Sequence, residues 1–124
     1  MTLAHAVVWT DHPSAQVLQF NADTVVPRKV KSHSHPTGQH GSAVRSEHEF
    51  FAAVCDALEG IPEVLLTGSH TSIADFRHYV EKHRAPTAQR IAGYEVVDHP
   101  SENQLVALAR KYFERRGWAA RAPN

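Results

Sequence analysis

The feature that most constrains this chain is a break at residues 32–42, where SHSHPTGQHGS interrupts two different hydrophobic patterns. The segment has no apolar periodicity, and it carries two glycines, a proline and three histidines. It reads as an exposed loop, long for a connection inside a small domain, which favours a functional segment over a simple link. Before it lie short β-like runs closed by turns; after it, helical spacing alternates with a short apolar run. A chain of 124 residues has room for one core and needs no disulfide to hold it. The expected organisation is therefore a single domain over residues 1–116, with 117–124 as a frayed tail.

On the N-terminal side, Leu3 to Thr10, Ala15 to Phe20 and Thr24 to Lys31 read as three strands joined by the turns Asp11-His12-Pro13-Ser14 and Asn21-Ala22-Asp23. Pro27 cannot donate to a ladder, which confines the third strand to an edge or a bulge. On the C-terminal side, Ser46 and Glu49 have capping-box spacing, and Phe50, Phe51, Val54 and Leu58 recur at helical spacing up to Gly60. Glu63 to Thr67 is a continuous apolar run of the kind that fills a buried parallel strand. A second helix follows with Ile73, Phe76 and Val80. A shorter helical stretch lies between Pro86 and Gly93, Tyr94 to Asp98 is a strand, and Ser101 with Gln104 caps a last helix.

The order β-β-β-α-β-α-β-α, with right-handed crossovers appended to an antiparallel meander, gives a mixed five-stranded sheet covered by helices. That α/β string is the order of the ribonuclease H-like fold. It does not by itself give a function.

Three kinds of chemistry can be weighed from the residues. A two-metal hydrolase needs convergent carboxylates, for which Asp11, Glu47 and Asp98 are candidates, and the competing reading makes Asp11 and Asp98 the starts of two Asp-His-Pro turns. A histidine metal site could draw on His33, His35 and His40, or on His12, His70 and His99, but there is no His-Glu-x-x-His helix and no cysteine pair. Nucleophilic catalysis nominally has Cys55 and several serines; Cys55 follows Val54 in an amphipathic run and reads as a small core residue, and Ser69 and Ser72 read as helix caps. No metal and no cofactor is called for.

Charge gives a fourth possibility. Thirteen basic residues balance thirteen acidic ones, so no global field marks a nucleic-acid binder. The balance conceals an asymmetry, because residues 1–62 hold four basic and six acidic side chains, and residues 63–124 nine and seven. Arg110, Lys111, Arg115, Arg116 and Arg121 make the end of the last helix the most basic segment. Arg28, Lys29, Lys31 and Arg45 flank the long loop, which suits presentation of that loop to RNA. The opening MTLAH has no basic n-region, no run approaches the length of a membrane span, and the lone cysteine fits a reducing compartment; the expected location is cytoplasmic, with no membrane partner.

With the loop placed between the third strand and the first helix, the chain resembles the middle domain of eukaryotic and archaeal class-one peptide-chain release factors. Thr37-Gly38-Gln39-His40-Gly41-Ser42-Ala43-Val44-Arg45 is similar to the family's Gly-Gly-Gln-Ser-Ala-Leu-Arg pattern, and Val64-Leu65-Leu66-Thr67-Gly68-Ser69 to its apolar strand and glycine turn. Thr37 stands at the first glycine, and His40 and Gly41 intervene before Ser42. The chain also resembles short bacterial proteins labelled translational machinery proteins. The resemblance implies a translation-associated protein whose partner is the ribosome or tRNA. It implies Gly38 and Gln39 as the catalytic positions where the domain hydrolyses peptidyl-tRNA; the cations and histidines in and beside that loop, Arg28, Lys29, Lys31, His33, His35, His40 and Arg45, are the expected RNA contacts. The alternatives from other classes are the metal-dependent hydrolase and a non-catalytic interaction module that forms a homodimer.

Overall fold

The computed structural model describes residues 3–11, 14–31 and 40–116, with side chains in the first helix from Ser46 onward. Three strands open it: β1 (His5–Asp11), β2 (Ser14–Phe20) and β3 (Val25–Lys31). They are followed by α1 (His40–Ala57), β4 (Glu63–Gly68), α2 (His70–His83), α3 (Ala85–Arg90), β5 (Ile91–Val96) and α4 (Glu102–Arg115). The sheet order is β3-β2-β1-β4-β5. β1 pairs antiparallel with β2 and β2 with β3, whereas β1–β4 and β4–β5 are parallel. This is the mixed five-stranded α/β sheet that the pattern predicts, with the short α3 before β5.

Strand alternation sorts the apolar residues onto two faces. Ala6, Val8, Ala15, Val17, Val64 and Leu66 face α1 and α2, where Phe51, Val54, Leu58, Phe76 and Val80 meet them. Val7, Leu18, Phe20 and Leu65 face α4 and pack on Leu105, Val106, Ala109 and Phe113. β4 is therefore buried on both sides, which is why Glu63 to Thr67 reads as a continuous apolar run. Each fully buried Leu or Phe among these contributes about 1.5–3 kcal/mol by leaving water.

Two elements, α1 and β5, begin elsewhere than the sequence reading places them. α1 begins at His40, so His40, Gly41 and Ser42 belong to a helix and not to the loop. Ser46 accordingly lies inside α1 and is buried at 8% exposure; it extends the four-residue ladder of Phe50, Val54 and Leu58 instead of capping it. β5 starts at Ile91, three residues early, because a register shift against Val64 and Leu65 inserts an extra residue near Ala92. Pro27 sits on the edge strand as its chemistry requires, opposite Leu18. No helix among the described residues is long and apolar enough to cross a membrane.

Candidate nucleic-acid interface

The topology makes one end of the sheet chemically distinct. β1, β3, β4 and β5 run in one direction, so Asp11, Lys31, Gly68 and Val96 all end there, and α1, α2 and α4 all begin there. A helix N-terminus has N–H groups without partners inside the helix and carries about half a positive charge, which suits an anion. In open α/β sheets this carboxyl end is also where ligands are usually met. The segment carrying Gly38 and Gln39 joins β3 to α1 at this end.

Local contacts hold the end in shape. Ser69 caps α2, its Oγ accepting from the Ser72 amide at 3.3 Å. Ser101 and Gln104 form the expected capping box on α4, with both reciprocal hydrogen bonds present. The Trp9 indole donates to the Asp98 carbonyl oxygen at 2.9 Å, and His99 meets the Trp9 ring edge-on at 4.3 Å between centroids. Gln16 donates to the Glu102 carboxylate at 2.8 Å, and the Thr67 hydroxyl to the Val8 carbonyl at 2.7 Å. Gly68 turns the chain at φ +151°, so close to Thr10 that a side chain would overlap the Thr10 carbonyl.

The candidate RNA contacts divide when placed on this frame. Arg28 lies opposite Val17 and so shares the α1 face, whereas Lys29 opposite Gln16 and Lys31 opposite Ser14 fall on the α4 face. All three are exposed, and Lys29 and Lys31 also border a hollow of about 300 Å3 with Glu49, Phe50 and Ala53 of α1. Arg45 and His40 lie in α1, and their side chains are outside the described residues. His33, His35, Gly38 and Gln39 lie outside the described residues altogether.

The metal candidates do not assemble among the described residues, where no three His, Cys, Asp or Glu side chains are grouped to hold an ion. Glu47 lines a hollow of about 160 Å3 between α1 and α2, away from the strand ends; His48, His78 and His83 border it too. Asp98 offers its backbone oxygen to Trp9, and His99 packs on the same indole. His12 falls outside the described residues. Cys55 is fully buried, and burial pushes its thiol above the ordinary range against the weaker pull of Arg84, as suits an inert core residue.

Two features escape a linear reading. Tyr79 and His83 meet with tilted rings at 5.1 Å across one helical turn, and His48 reaches them from α1 at 5.2 and 5.5 Å; the i,i+4 spacing of Tyr79 and His83 was the available signal. The second is an open groove between α4 and β3, whose walls lie some eighty positions apart in the chain.

No protein-family model matches the chain, and no curated protein matches it by sequence. Solved structures do match in fold. Pelota from Archaeoglobus fulgidus aligns with a TM-score of 0.59 at 14% identity, over 86% of this chain and 30% of that one. Pelota from Thermoplasma acidophilum gives 0.57 at 16% identity, over 82% and 30%. The archaeal translation termination factor aRF1 gives 0.61 at 10% identity, over 86% and 34%. This chain is similar in fold to part of each of them and spans about a third of their length.

Proposed function

We propose that this chain binds RNA in a translational setting, on the ribosome or a tRNA in the cytoplasm, by presenting residues 32–39 from the carboxyl end of its sheet. One observation carries the reading: the segment holding Gly38 and Gln39 connects β3 to α1, the place where the release-factor resemblance has its Gly-Gly-Gln tip. The fold likeness to Pelota and to an archaeal termination factor supports it. So does the electrostatics of three helix N-termini at that end, with Arg28 beside the α1 face.

In the hydrolytic form of this reading, Gln39 would position water at the peptidyl-tRNA ester while Gly38 lets the backbone approach. Thr37 is β-branched and opposes the positive φ that a first glycine permits, so the primary role assigned is binding. Co-sedimentation with ribosomes across a salt series tests it. Retention at low salt that weakens as salt rises is the expected result, and absence from every ribosomal fraction at low salt removes the reading. Peptide release that is lost in Gln39→Ala would establish the hydrolytic form; release at wild-type rate in that variant would remove it.

A further inference from the structure

The two lysines that alternation moves to the α4 face do not stand alone there. Between α4 and β3 runs an open groove of about 550 Å3, with Val25, Val106 and Ala107 along its apolar floor and Arg110 and Lys111 on its α4 wall. Beyond the groove's own lining, strand alternation continues the same sheet face from Val25 to Lys29 and Lys31, about 13–20 Å further at 3.3 Å per residue, at the sheet edge where both also border a hollow against Glu49 and Phe50 of α1. Arg115 is the next residue on the helical row of Ala107 and Lys111.

We infer that this groove is a second RNA contact, which tracks the phosphate backbone of a single strand; the assignment rests on the RNA-binding reading above. Lys29, Lys31, Lys111 and Arg115 are exposed, and among the described residues no carboxylate pairs with them. Other cations do have partners: Arg77 holds Glu81 at 3.1 Å and Arg84 holds Asp56 at 3.2 Å. Arg110 is structural, since its guanidinium donates to the Asn21 carbonyl at 2.9 Å and lies over the Phe20 ring. Two acids, Glu102 and Glu114, line the groove, and Glu102 accepts from Gln16. The cations come in pairs, Lys29 with Lys31 two residues apart on a strand and Lys111 with Arg115 one turn apart on a helix. Both spacings are about 6–7 Å, a step that lets neighbouring cations serve neighbouring phosphates of an extended strand.

The test is a fluorescence-anisotropy titration of the full chain with a labelled single-stranded RNA of about 12 nucleotides, from about 50 to 200 mM salt. The variants are Lys29→Glu with Lys31→Glu, and Lys111→Glu with Arg115→Glu; Arg110 is left in place, and Lys82→Glu on α2, across the sheet, is the control. Each double variant is expected to weaken binding about tenfold or more and to lower the slope of log affinity against log salt by about 1.4, the value for two contacts on a single strand. The control should change affinity less than about twofold, since surface charge far from the groove acts only through a screened field. Circular dichroism must show each variant folded, and these positions are all exposed.

No saturable binding by the wild type at low salt would overturn the inference, as would double variants no weaker than Lys82→Glu. A glutamate-rich peptide that competes as well as unlabelled RNA would reassign the groove to an acidic protein segment and also overturn it. Ribosome co-sedimentation is scored apart: a wild type that sediments while its RNA affinity ignores the groove sinks this inference alone. A wild type that never sediments yet binds RNA through the groove sinks the proposed function alone.

Discussion

The indole of Trp9 on β1 donates to the backbone oxygen of Asp98, 89 positions later, and ties the segment between β5 and α4 to the centre of the sheet. His99 reinforces the tie by meeting the same ring edge-on. Trp9→Phe keeps most of the ring and removes the donor, so it is expected to lower stability by about 1 kcal/mol, the net contribution of one hydrogen bond. Urea unfolding measures it as a lower midpoint at unchanged slope. An unchanged midpoint would show that water replaces the indole at no cost.

Two glycines separate backbone strain from steric overlap. Gly60 ends the turn after α1 at φ +83° with open space around it, whereas Gly68 at φ +151° abuts the Thr10 carbonyl. Gly60→Ala should cost about 1–2 kcal/mol, the penalty of the left-handed region alone. Gly68→Ala adds a backbone collision to that strain and should exceed about 3 kcal/mol or prevent folding. Equal losses in thermal or urea unfolding would contradict this difference.

Much of this architecture was readable from short-range chemistry. The Ser101–Gln104 box, the proline on β3 and the apolar run of β4 each act within a few residues, and each stands where the pattern put it. The start of α1 was not readable, because Ser46 has the chemistry of a cap yet occupies a buried rung below Phe50. β5 began early because the register shift near Ala92 disturbs the alternation that marks a strand. The division of Arg28 from Lys29 and Lys31 follows from a period of two, but only once the strand and its partner Val17 are fixed. The α4–β3 groove is a tertiary product, and no local pattern announces it.

Stability should decline on the alkaline side through Cys55 and Tyr94. Burial raises the Cys55 thiol above its ordinary value near 9.0 and the Tyr94 phenol above 10.0, in the second case against the pull of Arg77. Both folded-state values lie above the unfolded ones, so the protonated forms are favoured in the fold. Their contribution is complete below the unfolded values and is lost as pH rises through the folded ones. Unfolding free energy measured from about pH 8 to 10.5 should fall, and fall less steeply in Cys55→Ala and in Tyr94→Phe. Slopes identical to wild type in both variants would exclude these groups as the cause.

Histidine gives the proposed RNA contact a second, acid-side dependence. His33, His35 and His40 all fall in or beside the segment that joins β3 to α1. Imidazoles gain a proton as pH drops through about 6.5, so the local charge becomes more positive and attraction to phosphate grows. Affinity for ribosomes or RNA should therefore rise between about pH 7.5 and 6, and the rise should steepen at low salt, where screening is weakest. The decisive comparison replaces His33, His35 and His40 together with glutamine. A variant that loses the pH dependence locates it in the connecting segment; one that keeps it removes these three histidines as its cause. A wild-type affinity that does not change over this range would remove histidine from recognition altogether.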